Sequence, residues 1–276
     1  MRVRKAQRRR KPGGLLRVLT DTEWTEWLPI LTWLIHHPEG PILVDTGETA
    51  RTSEPAYFPR WHPYYRRAVE MNVRPEDEIG PRLEEVGVSP GDVRRVVVTH
   101  FHTDHAGGLQ HFPGAEIFAA QREISGAVGW TGRIQGYLPH RWPSWFRPVP
   151  ISFPELPFGA FERSFPVSVA GDVMAVPTPG HTPGHLSVVV RDGDLDYFLA
   201  GDTSYTQEFL LAEIPDGVSP RPSVTLETMG RILAHAAAHP TIYLPSHDPE
   251  SVARLRQEKT LPGGNAPAVR RGGGPG

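Results

Sequence analysis

The chain has 276 residues and no cysteine, so disulfides and thiolate ligands are excluded and any metal must be held by His, Asp or Glu. Its 38% hydrophobic and 22% charged residues are ordinary for a globular protein, and a net charge of −2 argues against nucleic acid as a partner. The sequence holds no run of 18 apolar residues and no apolar stretch after its basic start, which predicts no membrane span, no membrane partner and no secretory signal; we interpret the protein as cytoplasmic by default.

The two ends of the chain have the composition of tails. Residues 1–14 are rich in Lys and Arg, and residues 262–276 consist largely of Gly, Pro and Ala. Neither segment contains enough apolar residues for their burial to offset the conformational entropy lost when the segment becomes ordered. We therefore expect one domain over residues 15–261, with a basic flexible tail over 1–14 and a Gly/Pro-rich flexible tail over 262–276. An anchor for nucleic acid or an anionic surface at Arg8–Lys11 is the less favoured interpretation of the basic cluster.

Between these tails, short apolar runs alternate with helical patterns. Leu28–Ile35 and Pro41–Val44 predict paired strands joined by a turn at residues 38–40. A helix over Glu78–Val86 and a buried strand over Arg95–Thr99 follow. The remaining predicted elements are strands over Val173–Val176, Leu186–Val190, Tyr197–Ala200 and Thr241–Leu244, and a helix over Val224–His239 with Ser223 as its N-cap and Pro240 as its stop. This mixture predicts a layered α/β architecture.

Directly after the strand Arg95–Thr99, four side chains that can bind metal fall within six residues. They are His100, His102, Asp104 and His105. Residues i and i+2 of an extended chain point to the same side, so the first two imidazoles lie together. A turn into a helix near Asp104, eased by Gly107 and Gly108, brings the other two to a second point nearby. This spacing favours two adjacent metal ions over one, and a loop of surface polar residues explains it less well.

Three more candidate ligands, His181, Asp202 and His247, each follow the end of an apolar strand. Because sites in α/β sheets form where the carboxyl ends of strands converge, we expect these side chains to meet the first group. Ligation by imidazole and carboxylate suits zinc first, and also iron, cobalt or manganese. Two divalent ions per subunit are therefore the predicted cofactor.

These motifs resemble the metallo-β-lactamase superfamily. The resemblance rests on HFHTDH at residues 100–105, on the later Gly-His, Gly-Asp and Ser-His pairs, and on the early Val44-Asp45-Thr46-Gly47, and it covers roughly residues 28–248. It implies a four-layer αββα sandwich with two metals at one edge between the sheets. It also implies that His100, His102 and His181 bind the first metal, that Asp104, His105 and His247 bind the second, that Asp202 bridges both, that Asp45 orients a ligand His, and that His185 is structural.

Within that superfamily the sequence is most similar to the N-acyl-homoserine lactonases, the quorum-quenching enzymes. The similarity lies in the opening hairpin, in Tyr205 three residues after Asp202, and in Ser246-His247-Asp248. It implies opening of the lactone ring of a small-molecule substrate by attack of a metal-bridging hydroxide, which two metals generate near neutral pH. Two catalytic residues follow: Tyr205 donates a hydrogen bond to the lactone carbonyl or oxyanion, and Asp104 passes a proton to the departing alkoxide. A core aromatic is the alternative interpretation of Tyr205.

Two other functions stay open from the sequence. One is a glyoxalase II-like thioester hydrolase, or another ester or lactone hydrolase, on the same fold. The other is a non-catalytic metal-binding protein, which is disfavoured because no ligand position is missing. The aromatic, proline-rich segment Trp130–Phe161 also keeps several interpretations: a wall of the substrate pocket, a homodimer interface, or packing against the sandwich.

Overall fold

The computed structural model describes residues 1–8 and 14–263. Its strands are β1 Arg2–Val3, β2 Trp33–Ile35, β3 Ile42–Val44, β4 Val69–Glu70, β5 Arg95–Val97, β6 Glu116–Ala120, β7 Val149–Ile151, β8 Phe165–Pro166, β9 Val173–Pro177, β10 Leu186–Asp192, β11 Leu195–Gly201 and β12 Thr241–Pro245. Its α-helices are α1 Gly14–Thr20, α2 Pro63–Arg67, α3 Ile79–Glu85, α4 Thr103–Ala106, α5 Gln121–Ala127, α6 Gly129–Ile134, α7 Gln207–Leu211, α8 Pro222–Ala238 and α9 Ser251–Arg256. Short 3₁₀ helices cover Lys5–Arg8, Ala50–Ser53, Pro75–Asp77, Pro90–Asp92, Leu109–His111 and Pro139–Arg141.

Two five-stranded sheets form the centre of the fold. The first has the order β2-β3-β5-β6-β7, in which β2 is antiparallel to β3 and the other pairs are parallel. The second has the order β12-β11-β10-β9-β8, in which β8 to β11 are antiparallel neighbours and β11 runs parallel to β12. Consequently β3 and β5 end at the same edge of their sheet, and β9, β11 and β12 end at the same edge of theirs.

Alternation of side chains along the strands gives the molecule three apolar layers. The layer between the sheets includes Ile42, Val44, Val97, Ile151, Val188, Leu199, Ile242 and Leu244. On the outer face of the first sheet, Leu43, Val96, Val98 and Ile117 pack with Ile79, Leu83, Leu109 and Phe112 of its covering helices. On the outer face of the second, Val176, Val189, Phe198 and Tyr243 pack with Met229, Ile232 and Ala236 of α8. The predicted four-layer αββα sandwich is confirmed.

Several predicted element boundaries are corrected. The strand predicted from Leu28 begins only at Trp33, because Pro29 interrupts it and the Leu28 N–H donates to the Met1 carbonyl instead. Helix α8 starts at Pro222, so Ser223 lies inside the helix and is not its N-cap. Proline suits the first helical position because its fixed φ is already helical. An N–H at that position would have no acceptor within the helix, so its absence costs nothing. The helix predicted over Glu78–Val86 spans only Ile79–Glu85, and Val86, just beyond it, is 61% exposed.

Residues 1–8 are folded, which corrects the prediction of a flexible tail over residues 1–14. Strand β1 pairs antiparallel with β4, and Val3 is fully buried. The Arg2 guanidinium donates to Glu70 at 2.7 Å, and that of Arg4 lies 3.7 Å from the centre of the Trp24 ring. The arginines are therefore partners of acidic and aromatic side chains far away in sequence, which composition alone does not reveal. Residues 9–13 and 264–276 lie outside the described part of the chain, so the C-terminal tail stays a prediction.

Much of the segment Trp130–Phe161 packs against the sandwich, and residues 134–137 line a cavity beside it. Trp142 and Phe146 pack on the first sheet, whereas Phe158 and Phe161 pack on the second. The segment also contains most of α6, a 3₁₀ helix and β7. No helix in the described residues is long and apolar enough to cross a bilayer. The homodimer and the cytoplasmic location stay predictions.

Candidate metal centre

Strand ends deliver the predicted ligands to one place. His100 and His102 follow β5, and His102 is the N-cap of α4, which turns Asp104 and His105 back towards them. In the second sheet, His181 follows β9, Asp202 follows β11 directly, and His247 follows β12. The structure thus brings all seven predicted ligands together at the edge where the two sheets meet.

Three imidazoles form the first cluster. His102 Nδ1 lies 3.0 Å from His100 Nε2 and 3.0 Å from His181 Nε2. At least one atom of each nitrogen pair must lack a proton for such an approach, and a cation between the lone pairs accounts for all three nitrogens at once. This is the set that the resemblance to the metallo-β-lactamase superfamily implies for the first metal.

Asp104, His105 and His247 form the second cluster, with their ligand atoms within 4.8 Å of one another. Asp202 faces both clusters with different oxygens. Its Oδ1 lies 3.2 Å from His105 Nε2 and 3.2 Å from His247 Nε2, and its Oδ2 lies 3.5 Å from His181 Nε2. A carboxylate with one oxygen on each side is suited to bridging two cations.

In the first cluster, each imidazole has its outer nitrogen hydrogen-bonded away from the site. His181 Nδ1 donates to the Asp216 carboxylate at 2.8 Å, and His102 Nε2 donates to the Gln135 carbonyl at 3.1 Å. His100 Nδ1 lies 3.1 Å from the Thr99 hydroxyl, which itself donates to Asp45. Each of these bonds fixes the tautomer that leaves the inner nitrogen unprotonated.

The second cluster follows the same rule. His105 Nδ1 donates to Asp45 at 2.8 Å, as the sequence predicts for a residue that orients a ligand, and His247 Nδ1 donates to the Pro29 carbonyl at 2.8 Å. Asp45 adopts a left-handed backbone conformation with φ of 63°, which aspartate tolerates better than most residues. This conformation lets one carboxylate accept from both His105 and the Thr99 backbone.

Unpaired buried atoms and charge indicate that the centre fits divalent cations. His105 Nε2, His247 Nε2 and Asp202 Oδ1 are buried and make no hydrogen bond within the described residues. Burial lowers the pKa of His181, but the Asp216 and Asp202 carboxylates overcome this and raise it to about 9. Groups of carboxylates that stabilise positive charge this strongly create a site that attracts cations.

Two supporting acids were missed by the sequence reasoning. Asp216, which accepts a hydrogen bond from His181, lies in Pro215-Asp216-Gly217, a sequence typical of an ordinary turn. The only local sign of a role at the metal centre is that the residue is acidic. Glu123 of α5 is buried and accepts from the Phe101 N–H at 3.1 Å, the Thr182 hydroxyl at 2.8 Å and the Gly184 N–H at 3.1 Å. Glu123 thereby ties the loop after β5 to the loop after β9, and nothing in its local sequence marks it.

His185 has the structural surroundings expected of it. Its Nε2 accepts from the Asp202 N–H at 3.0 Å, and its Nδ1 lies 2.9 Å from the Thr178 hydroxyl. Burial, followed by the charge of His181, lowers its pKa to about 3, which keeps the ring neutral and able to accept. His185 therefore positions the backbone of Asp202 and does not face either cluster with a free nitrogen.

A cavity of about 460 Å³ opens above the centre. Its floor includes His102, Asp104, His181, Asp202 and Tyr205, and its walls are largely apolar, formed by Met1, Leu15, Tyr64, Val69, Met71, Ile134 and Val218. Tyr205 is 5% exposed, and its ring lies 5.8 Å from that of His247. It packs in an apolar cluster with Met1, Val3 and Leu28 and also lines the cavity, so the core and catalytic interpretations of this residue are compatible. The walls combine side chains from within the first 20 residues of the chain with α2 and α6, which lie far from them in sequence.

Comparisons with known proteins agree with this geometry. A sequence profile described as the metallo-beta-lactamase superfamily matches residues 25–252. An N-acyl homoserine lactonase of a Bacillus species is 33% identical over 195 residues, covering 68% of this chain and 69% of that protein. The N-acyl homoserine lactonase AttM of Agrobacterium fabrum is 26% identical over 241 residues, covering 83% and 86%.

A solved structure is similar as well. A mutant of Bacillus thuringiensis AiiA, with N-decanoyl-L-homoserine bound at its active site, superposes with a TM-score of 0.69 at 26% identity, covering 85% of this chain and 86% of that one. The chain belongs to the N-acyl homoserine lactonase family of the metallo-beta-lactamase superfamily.

Proposed function

We propose that this chain hydrolyses the ring ester bond of N-acyl homoserine lactones, giving the open N-acyl homoserine. The observation that carries the proposal is the position of an apolar cavity of about 460 Å³ directly above two clusters of candidate metal ligands. The cavity offers apolar walls for an acyl chain and a polar floor for the lactone. A related structure holds N-decanoyl-L-homoserine, the product of such a reaction, at its active site.

The proposed cofactor is a pair of divalent ions, with zinc first among them because all the ligand atoms are imidazole nitrogens and carboxylate oxygens. His100, His102 and His181 would hold one ion, Asp104, His105 and His247 the other, and Asp202 both. When bound, such a pair supplies an activated water and a Lewis acid for the carbonyl.

Tyr205 and Asp104 carry the proposed protein chemistry. Burial raises the pKa of Tyr205 well above its ordinary value of 10, so the phenol keeps its proton and can donate to the carbonyl oxygen as negative charge develops there. Ring opening bonds the water oxygen to the carbonyl carbon and breaks the ring carbon–oxygen bond. Asp104, which lines the cavity floor, would carry one water proton to the departing ring oxygen.

The cavity lining argues for a lactone over a glutathione thioester. Glutathione carries two carboxylates, and the described residues that line the cavity include no Lys or Arg to pair with them. An acyl homoserine lactone carries no charge, and its only polar groups are an amide and an ester, so burying it costs less free energy than burying two carboxylates. A non-catalytic role is disfavoured because no ligand position is missing from the two clusters.

The test is a hydrolysis screen of the metal-loaded protein. The panel holds homoserine lactones with short and long acyl chains, a simple δ-lactone, a glutathione thioester and a β-lactam, with acid release followed by a pH indicator and products checked by mass spectrometry. We expect the acyl homoserine lactones to be the best substrates and Asp202→Asn to abolish turnover. The matched substitution Asp172→Asn, in a His–Asp pair away from the cavity, should have no effect. Faster turnover of the thioester would overturn the lactonase assignment.

A further inference from the structure

Gln7 is a buried polar residue in the wall of the cavity. Its side chain is 1% exposed, although it belongs to the Lys5–Arg8 3₁₀ helix in the basic N-terminal segment. Its backbone is held firmly, since the Gln7 carbonyl accepts from the Gly217 N–H at 2.8 Å. A Cβ at residue 217 would lie 2.9 Å from the Gln7 Cα, so glycine there permits the close approach of the two segments.

The carboxamide of Gln7 contacts two phenols. Its Nε2 donates to the Tyr205 hydroxyl and, at 3.0 Å, to the Tyr64 hydroxyl, while its Oε1 lies 3.2 Å from the Tyr64 hydroxyl. An amide nitrogen has two hydrogens to give and cannot accept. The Tyr205 oxygen is therefore an acceptor towards Gln7, and its own proton must point elsewhere.

We propose that Gln7 is a positioning residue that turns the Tyr205 hydroxyl proton towards the substrate. The inference rests on the proposed function, in which that hydroxyl donates to the lactone carbonyl. A donor on one side of a phenol oxygen both fixes the direction of its O–H and polarises it, so that it becomes a better donor. Gln7 is neutral, so it achieves this without placing another charge beside Asp202 and Asp104.

A purely structural role for Gln7 makes a different prediction. If the amide only fills space beneath the N-terminal segment, replacing it with leucine should lower the stability of the protein. Any change in kcat should then be the same whether residue 205 is Tyr or Phe. If it directs the phenol proton, its effect should require the Tyr205 hydroxyl. The two roles separate in a double-mutant cycle.

The cycle compares wild type, Gln7→Leu, Tyr205→Phe and the double variant, all loaded with Zn²⁺ and checked for metal content and melting temperature. With a long-chain acyl homoserine lactone, we expect Gln7→Leu to lower kcat about twofold to tenfold, the loss typical of one hydrogen bond, with little change in KM. In the Tyr205→Phe background the same substitution should change kcat by less than about twofold. Gln257→Leu, at an exposed position after α9, is the matched control and should change neither parameter.

A binding measurement gives a second readout that does not depend on turnover. Calorimetric titration with N-decanoyl-L-homoserine should show weaker binding for Gln7→Leu and for Tyr205→Phe, and no further weakening in the double variant. Additive losses in either cycle, or no loss on Tyr205→Phe, would overturn the role of Gln7. Absence of lactone hydrolysis by wild type would instead overturn the proposed function itself.

If Gln7→Leu prevents folding, Gln7→Glu provides the test. An ionised carboxylate is the same size as the amide but can only accept, so at a pH at which residue 7 is ionised it would take the Tyr205 proton away from the substrate. The rates are therefore compared over a range of pH, and the result at the alkaline end decides. We expect Gln7→Glu to lower kcat by at least as much as Tyr205→Phe does. A kcat equal to that of wild type would refute the proposed direction of the hydrogen bond.

Discussion

Asp216 provides the sharpest test of how the protein holds the metal centre. Its Oδ2 accepts from His181 Nδ1 at 2.8 Å, and its Oδ1 accepts from the Val218 and Ser219 N–H groups at 2.8 and 2.6 Å. Asparagine has the same shape but only one oxygen. In Asp216→Asn the NH₂ group must therefore face either His181, which favours the wrong tautomer, or the backbone N–H groups, which repel it.

The expected loss is in metal affinity at one of the two sites. Replacing a group that orients a ligand His typically weakens metal binding 10- to 100-fold, which corresponds to about 1.4–2.8 kcal/mol. Loss of the charge also removes the interaction that raises the pKa of His181, so the imidazole becomes a weaker base and a weaker ligand. Competition between the protein and a chromophoric chelator for Zn²⁺ should show one ion released more easily and the other unchanged.

The control is Asp172→Asn, because Asp172 pairs with His37 at 3.0 Å well away from the cavity. It should leave both affinities at the wild-type value. Equal weakening of both ions in Asp216→Asn would mean that Asp216 acts on the whole centre. Unchanged affinity of both would refute the reasoning that the orientation of His181 depends on this carboxylate.

Three further substitutions test other features. Tyr205→Phe should keep its metal and lose about tenfold to a thousandfold in lactone hydrolysis. Burial holds the pKa of the Tyr205 phenol well above 10, so the donor stays protonated and the ratio of wild-type to variant rates should stay constant up to pH 10. A fall in that ratio below pH 10 would contradict the raised pKa, whereas equal rates for the two proteins would contradict the donor role. Val3→Ala, at a fully buried position, should lower the free energy of unfolding by about 2 kcal/mol and Tm by about 4–8 °C, whereas the 87% exposed Val169→Ala should not; equal Tm values would restore the flexible tail. Glu123→Gln turns an NH₂ group towards backbone or hydroxyl donors. The free energy of unfolding, measured with urea, should fall by about 1–3 kcal/mol. Glu116→Gln, at an exposed position on β6, is the control. Equal urea midpoints for the two variants would show that Glu123 does not stabilise the fold by linking the loops after β5 and β9.

The sequence predicts most of the centre because its ligands are tied to strand ends. Short apolar runs identify β5, β9, β11 and β12, and the residues that follow them converge because these strands end at the edges where the two sheets meet. The layer order came from the resemblance of these motifs to a known superfamily, since periodicity alone predicts only a layered α/β fold.

The parts that escaped prediction depend on partners distant in sequence. Asp216 and Glu123 are recognisable only once the loops after β9 and β5 are in place, and Gln7 only once residues 1–8 lie against Gly217. The basic composition of residues 1–14 favoured a solvated tail because Arg2 and Arg4 were counted as charges without their acidic and aromatic partners. Local pattern carries no information about such pairings.

The metal ligands and the cavity walls come from different parts of the chain, and this division bears on how the enzyme can change during evolution. The ligands stand at the ends of sheet strands, with their outer nitrogens held by Asp45, Asp216 and backbone carbonyls. The walls are side chains of short helices and connecting segments, such as Leu15 and Ile134. Substitutions in the walls can therefore alter which acyl chains are accepted while the chemistry below them is inherited intact, so that new substrate preferences can arise by single steps that never pass through an inactive protein.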